Sequence, residues 1–107
     1  MGATPWTTGA KIRIYTERKL NLASIVARHF RSFSIIYGTG FFNGVAEECA
    51  IIEIVSAGPI YRHNPEALAL AEEIRSKNGQ EAVLVTVEGA EVCIALPSGR
   101  RPDREED

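Results

Sequence analysis

The sequence predicts an α+β fold: a ferredoxin-like βαββαβ sandwich of two layers, with an extra C-terminal strand. Three observations support it. Two strand–helix–strand units follow one another, both helical segments carry an apolar stripe, and 107 residues with 45% apolar content suit one globular domain. We expect that domain over residues 10–96, between a disordered leader (1–9) and a disordered tail (97–107) without apolar side chains other than proline.

The first unit begins with a segment of alternating polar and apolar residues, 10–16, which is typical of a half-buried strand. Asn21 can cap the helix that follows. The apolar stripe of that helix contains Leu22, Ile25, Val26, His29, Phe30 and Phe33. A second strand is predicted over residues 33–37, a glycine-rich loop over 38–44 and a third strand over 47–56.

In the second unit, Asn64 and Pro65 are typical of a helix start, as the cap and the first helical residue. Asn78 and Gly79 are typical of its end. Ala67, Leu70, Ala71 and Ile74 form its apolar face. Two strands, over residues 81–88 and 91–96, are predicted around a turn at Gly89 and Ala90.

The charge balance argues against a nucleic-acid partner, because 12 basic and 14 acidic residues give a net charge of −2. No apolar run is long enough to span a membrane and no signal peptide opens the chain, so we expect a cytoplasmic protein without a membrane partner. Cys49 and Cys93 are 44 residues apart within apolar segments, and we interpret them as buried thiols rather than a disulfide or metal ligands.

Two strands are apolar on both faces, which a two-layer fold does not require. In the third strand, Cys49, Ile51 and Val55 alternate with Ala50, Ile52 and Ile54, and in the fourth, Val83, Val85 and Val87 alternate with Ala82 and Leu84. The outer face of such a sheet needs a cover, and another copy of the chain is the simplest one. We therefore expect a homo-oligomer.

The glycine-rich loop and its flanks are the strongest candidate for a functional site. Tyr37 precedes the loop and Glu48 follows it, so an antiparallel pairing would place a phenol and a carboxylate on one face. The loop glycines would let backbone N–H groups approach a ligand. Phe41 and Phe42 would need a cover, either a neighbouring subunit or a flat purine. The alternative is a plain hairpin with Glu48 in solvent.

Other polar residues allow two interpretations. Gln80 and Glu81 lie either beside a pocket at the sheet end or on plain surface. Glu53, inside an apolar strand, should pair with Lys11 or Arg13. We interpret His29 as a histidine at the edge of the core and His63 as an exposed residue before a helix. No catalytic triad and no metal-ligand spacing is recognisable, so neither a metal nor a cofactor is expected.

Three segments resemble the phage-encoded S-adenosylmethionine lyases, formerly called S-adenosylmethionine hydrolases, and most of all the environmental-phage member. They are FSIIYGTGFFNG (33–44), EECAIIEI (47–54) and NGQEAVLV (78–85). The resemblance implies a PII-like trimer that binds its substrate between neighbouring chains, and an antirestriction role in the host cytoplasm. It also implies an intramolecular reaction, in which the substrate's carboxylate displaces 5′-methylthioadenosine and homoserine lactone forms.

Carried over to this sequence, the resemblance places the catalytic tyrosine and glutamate at Tyr37 and Glu48. Glu48 would then anchor the substrate's ammonium, and Tyr37 would contact its sulfonium or orient its carboxylate. The remaining residues expected to bind substrate are Gly38, Thr39, Gly40, Phe41, Gln80 and Glu81. Three alternatives stay open: a PII-like nucleotide sensor without activity, a hydrolase in which Glu48 activates water, and a trimeric structural module.

Overall fold

A computed structural model describes residues 5–95, and the predicted tail lies outside them. The elements are β1 (Thr7–Glu17), α1 (Leu22–Ala27), β2 (Ser34–Phe42), β3 (Val45–Ala57), α2 (Ile60–Lys77) and β4 (Leu84–Val92). The four strands form one antiparallel sheet in the order β2-β3-β1-β4, as a ferredoxin-like fold requires. The predicted fold class, an α+β sandwich of two layers, is confirmed.

The core lies between one face of the sheet and both helices. β1 and β3 provide its centre, because alternate residues of each strand point towards the helices. The fully buried large side chains are Ile12, Ile14, Leu22, Ile25, Val26, Ile52, Leu70 and Ile74. The predicted apolar face of α2 is confirmed, since Ala67, Leu70, Ala71 and Ile74 are all buried. Within residues 5–95, no helix combines the length and the apolar content needed to cross a membrane.

β1 begins at Thr7, three residues before the predicted start, and Thr7 pairs with Val92. Residues 7–9 of the predicted leader therefore belong to the sheet. Residues 7–9 were not predicted as part of the strand because Gly9 lies among them and glycine has a low strand propensity. A Cβ atom at Gly9 would lie 2.5 Å from Val92 Cγ2 and 2.7 Å from the carbonyl oxygen of Ser56, so the close packing of neighbouring strands accounts for the glycine.

The predicted loop over residues 38–44 is wrong, because β2 continues to Phe42 and only two residues connect it to β3. Asn43 and Gly44 have φ angles of 48° and 81°, which fit a type I′ turn, the tight connection that Asn-Gly favours. Gly38 and Gly40 lie in an extended strand. The outer part of this hairpin, residues 39–48, lies beyond the β1–β3 pairing, and we call it the hairpin arm.

The two helices also differ from prediction. α1 ends at Ala27, and the apolar stripe continues in a turn where the N–H groups of His29 and Phe30 both donate to the carbonyl of Val26. α2 begins at Ile60, five residues before the predicted first helical residue, so Pro65 lies inside the helix. Because proline lacks an N–H group, the helix gives up one backbone hydrogen bond there.

The predicted pair of C-terminal strands is a single strand. β4 passes straight through Gly89 and Ala90 and pairs with β1 along its length, and residues 5–95 contain no fifth strand. A turn was predicted at Gly89 because glycine commonly marks one. A Cβ atom there would lie 3.3 Å from Ile60 Cδ1, so the approach of α2 to the sheet favours glycine.

The outer face of the sheet, which points away from the helices, is more apolar at β3 than at β4. β3 is apolar on both faces, as predicted, since Ile51 and Val55 lie opposite the buried Ile52 and Ile54. β4 is less so, because Thr86 and Glu88 follow Leu84 on that face. The predicted ion pair of Glu53 is confirmed. Arg13 Nε lies 2.7 Å from Glu53 Oε2, directly across the β1–β3 ladder.

Candidate functional site

A cleft of about 270 Å³ opens where the chain leaves β1 and enters α1. Its walls are the β1–α1 connection, the first turn of α1 and the base of the hairpin arm. The lining residues are Arg18, Lys19, Leu20, Ala23, Tyr37 and Glu48. The two residues that the sequence singled out as catalytic therefore line the same cleft.

The strand register explains why Tyr37 and Glu48 meet. Tyr37 lies opposite Ala50, and Thr39 lies opposite Glu48. Directly opposed residues share a face, and side chains two positions apart point to the same side. Tyr37 and Glu48 are thus diagonal neighbours on the helix side of the sheet, the side on which Ala50 is buried. The pairing of β2 with β3 is enough to produce this geometry, and a glycine-rich loop is not needed for it.

Arg18 joins this pair, although no pattern in the sequence pointed to it. Its guanidinium carbon lies 4.1 Å from the centre of the Tyr37 ring, a distance typical of a cation–π contact. Its Nη1 atom lies 3.9 Å from Glu48 Oε1. Its backbone N–H donates to the carbonyl of Glu48 at 3.3 Å, so the same residue also holds the β1–α1 connection against the hairpin.

The cleft is open and electrically mixed. The Glu48 side chain is 79% exposed and that of Arg18 is 52% exposed, so water screens their ion pair. Lys19 Nζ lies 3.4 Å from Glu17 Oε1, which gives the second cation a partner outside the lining. The cleft therefore offers an aromatic face, one carboxylate and two cations, which suits a ligand that carries charges of both signs.

The other residues predicted to bind substrate are spread over two faces. Thr39 and Phe41 follow Tyr37 on its own side of the hairpin, whereas Gly38 and Gly40 lie opposite Cys49 and Glu47 on the outer face. None of these four lines the cleft. Phe41 is 71% exposed on the arm, which agrees with the expectation that its side chain needs a cover.

Gln80 lies at the same end of the sheet, but it is buried and does not line the cleft. Its Nε2 donates to Thr16 Oγ1 at 2.7 Å, and its Oε1 accepts from the backbone N–H of Glu17 at 3.3 Å. Gln80 thus fixes the end of β1, one residue before Arg18. Glu81 is exposed. The binding roles of both residues stay predictions.

A larger cleft, of about 420 Å³, lies at the opposite end of the sheet, between residues 29–32 and residues 54–57. Its size alone would make it the first candidate. However, it lies at the end of β3, whereas Glu48 lies near the start of that strand, so it is far from the Tyr37–Glu48 pair. Among residues 5–95, no group of three or more His, Cys, Asp or Glu side chains is placed to hold a metal ion. We take the smaller cleft as the candidate functional site, because its charged and aromatic groups converge.

The two histidines form structural contacts at the helices. His29 Nε2 lies 2.7 Å from Glu73 Oε1, and Nδ1 contacts Glu66, so His29 joins α1 to α2 at the core edge as predicted. Burial opposes the charged imidazole, but the hydrogen bonds to Glu73 and Glu66 outweigh it and raise the pKa of His29. His63 was predicted before the helix, yet it lies inside α2, and its Nε2 lies 3.0 Å from the carbonyl oxygen of Ala57.

Comparison with known proteins identifies the fold as PII-like. No protein-family model and no curated protein matches the sequence. Among solved structures, a phage S-adenosylmethionine lyase in complex with S-methyl-5′-thioadenosine is similar at 16% identity with a TM-score of 0.62, over 80% of this chain and 90% of that chain. The same comparison with a phage lyase in the apo state gives 16% identity and a TM-score of 0.60, over 92% of this chain and 98% of that one.

A PII-like nitrogen regulatory protein from Thiomonas intermedia K12, bound to ADP, AMP and bicarbonate, is also similar. It shares 16% identity with a TM-score of 0.57, over 85% of this chain and 99% of that chain. The fold is therefore common to an enzyme that carries a thioadenosine and to a regulator that carries nucleotides, and the site must distinguish between them.

Proposed function

We propose that the chain is an S-adenosylmethionine lyase, which converts S-adenosylmethionine into 5′-methylthioadenosine and homoserine lactone. The observation that carries the proposal is the convergence of Tyr37, Glu48 and Arg18 on one cleft. The shared fold with a phage lyase that holds the same thioadenosine product supports it.

The reaction needs neither an added nucleophile nor a base. One oxygen of the substrate's carboxylate attacks its own γ-carbon, a C–O bond forms and the bond from that carbon to sulfur breaks. The electron pair goes to sulfur, so the sulfonium becomes the neutral thioether of 5′-methylthioadenosine. The other product is a five-membered lactone that keeps the ammonium. No proton is transferred, so the work of the protein is to hold the near-attack conformer, an effect worth about 7–11 kcal/mol in favourable cases.

The lining residues fit the charges of that substrate. The Glu48 carboxylate would accept hydrogen bonds from the ammonium group. The face of the Tyr37 ring would attract the sulfonium, as aromatic rings attract other cations. Thr39, Gly40 and Phe41 would then contact the adenosine along the arm. Gln80 and Glu81 would add contacts to the substrate at the same end of the sheet. These roles belong to the proposal.

The proposal includes a homotrimer with the substrate held between chains. The cleft of one chain is open, since Glu48 is mostly exposed, whereas charge neutralisation in the transition state favours a poorly hydrated pocket. A neighbouring copy would supply the missing wall and would cover the apolar outer face around Ile36, Ile51 and Leu84. In a phage-infected cell, such an enzyme would act in the host cytoplasm against restriction by removing S-adenosylmethionine.

The test is a product assay with matched glutamate variants. Wild-type protein incubated with S-adenosylmethionine should release 5′-methylthioadenosine and homoserine lactone, detected by mass spectrometry. Glu48→Gln should lower kcat/KM about 10- to 100-fold, the factor that corresponds to ~1.4–3 kcal/mol for a hydrogen bond to a charged group. Glu47→Gln is the control, because the neighbouring Glu47 lies on the outer face and should keep wild-type activity.

An unchanged kcat/KM in Glu48→Gln would remove Glu48 from the mechanism, and an intact substrate with wild-type protein would remove the lyase function. The hydrolase alternative is separated by running the reaction in heavy-oxygen water. We expect unlabelled lactone as the first product. Direct appearance of labelled homoserine would instead indicate that water attacks the γ-carbon, as in the hydrolase alternative.

One observation favours a second function, a PII-like nucleotide sensor. Arg18 and Lys19 both line the cleft, and two cations suit the phosphates of ADP at least as well as a substrate with a net positive charge. The sensor would bind ADP and leave S-adenosylmethionine intact. Calorimetric titration with both ligands, followed by analysis of the recovered ligand, decides between the two functions.

A further inference from the structure

Arg18 occupies the place that a cationic ligand would take. Its guanidinium lies over the face of Tyr37 and beside the carboxylate of Glu48, the two groups in the cleft that attract positive charge. A ligand whose ammonium binds Glu48 and whose sulfonium lies against Tyr37 must therefore displace it. Two like charges within the same small cleft would otherwise repel one another.

Two backbone hydrogen bonds hold the chain at Arg18, and neither involves the Arg18 side chain. The Arg18 N–H donates to the carbonyl of Glu48, and the preceding residue, Glu17, donates its N–H to the buried Gln80. The guanidinium can therefore change its position while the Arg18 backbone remains beside the cleft. Once displaced from Glu48, it is available to pair with another anion, and an amino-acid ligand brings one in its carboxylate.

We infer that Arg18 is the residue that recognises the carboxylate of the ligand, and that it exchanges Glu48 for that carboxylate on binding. The inference rests on the proposed function, since it takes an S-adenosyl amino acid as the ligand. In the lyase reaction this contact is a positioning contact. A guanidinium bound to one carboxylate oxygen leaves the other free to attack the γ-carbon and holds it in line with the carbon–sulfur bond.

Lys19 is a poorer candidate for the same task, although it lines the same cleft. It already pairs with Glu17 at 3.4 Å, outside the lining. An ammonium also lacks the planar fork with which a guanidinium fits a carboxylate. The two neighbours thus provide a matched pair of variants, each of which removes one positive charge from the same cleft.

The experiment compares two unreactive ligands that differ in the carboxylate alone. S-adenosylhomocysteine and its decarboxylated form, S-adenosyl-3-thiopropylamine, are thioethers, and their neutral sulfur is a poor leaving group, so both persist with the full-length protein. Calorimetry gives the ratio of their dissociation constants. We expect wild-type protein to prefer S-adenosylhomocysteine and Arg18→Gln to reduce that preference about tenfold, which corresponds to ~1.4 kcal/mol.

Lys19→Gln should change the dissociation constants of both ligands by a similar factor and leave the ratio of these constants as in wild-type protein. Arg18→Lys should retain part of the preference, because it keeps the charge and loses the fork. A ratio that Arg18→Gln leaves unchanged, or that Lys19→Gln shifts as much, would overturn the assignment. If the ratio shifts as expected but S-adenosylmethionine is recovered intact, the lyase function fails and the carboxylate contact stands. If neither ligand binds wild-type protein, the contact is refuted, and the product assay still judges the lyase function on its own.

Discussion

At the scale of single residues, a group of charged side chains outside the cleft connects the two helices. His29 lies between Glu66 and Glu73, and Glu73 also contacts Arg28 and Lys77. Hydrogen bonds from His29 and Arg28 lower the pKa of Glu73 to about 2, against a partial burial that raises it. The group therefore ties the end of α1 to α2 while both signs of charge are present.

We predict that this group makes stability depend on pH in two directions. The pKa of His29 is raised on folding, so its contribution is complete below the unfolded value of 6.5 and is lost as pH rises through the folded pKa. Glu73 is the reverse: its contribution is present above its unfolded value of 4.5 and is lost as pH falls towards 2. Urea unfolding should show the largest contribution between these limits.

His29→Gln should flatten the fall in unfolding free energy between pH 5.5 and pH 8.5. His63→Gln is the control, because within residues 5–95 the Nε2 of His63 contacts a backbone carbonyl and no carboxylate, and it should keep the wild-type profile. Equal profiles for wild-type protein and His29→Gln would show that the histidine contributes nothing through its charge.

Residue patterns predicted part of the site. Tyr37 and Glu48 were found because both lie near one turn, so their proximity depends on local pairing alone. Glu53 was found because a carboxylate in an apolar strand requires a partner, and the neighbouring strand offered Arg13. Arg18 was missed because its place over Tyr37 depends on where β1 ends against the hairpin, a contact between segments that are distant in sequence.

At the scale of elements, three errors have one cause. Gly9, Gly38 with Gly40, and Gly89 were taken as signs of a leader, a loop and a turn, and all of them lie in strands. For Gly9 and Gly89 the reason is a crowded neighbour, which a single sequence does not reveal. Apart from the extra C-terminal strand, the order and type of the elements were predictable, because they depend on apolar spacing rather than on individual glycines.

The turn of the hairpin gives a prediction at this scale. Gly44 has a φ angle of 81°, where an L-residue is strained, whereas Gly38 is in extended backbone, and neither would place a Cβ atom within 4 Å of another group. Gly44→Ala should therefore destabilise the protein by about 1–2 kcal/mol, the cost of the left-handed region for alanine. Gly38→Ala should cost much less, or even stabilise the strand.

Thermal unfolding of the two variants measures this difference. A melting temperature that falls equally for both would show that the turn conformation is not the cause. Because Asn43 and Gly44 set the register of β2 on β3, Gly44→Ala should also reduce activity with S-adenosylmethionine if the diagonal placement of Tyr37 and Glu48 matters.

At the scale of the whole molecule, the uncovered sheet face predicts self-association. Ile36 and Leu84 are about half exposed or more on the outer face, and Phe42 and Val45 extend that apolar surface along the arm. We expect Leu84→Lys and Ile36→Lys to shift the protein from the proposed trimer to a monomer in light scattering at micromolar concentration. Leu68→Lys is the control, because Leu68 is at least as exposed as Leu84 and Ile36 but lies on α2.

A wild-type monomer in that measurement would refute the trimer, and with it the proposal that a neighbouring chain closes the cleft. If the variants dissociate, their activity should fall in parallel, since each cleft would lose its second wall. Retained activity in a monomeric variant would show that one chain holds the substrate alone.

The sheet has a further consequence for the order in which the protein folds. β2 and β3 are joined by two residues, whereas more than sixty residues, including both helices, separate β1 from β4 in the chain. Pairing β1 with β4 therefore costs far more chain entropy. We expect high φ-values in the β2–β3 hairpin and low ones along β1–β4. Tyr37 and Glu48 would then be adjacent early in folding, and Arg18 would join them only when β1 docks.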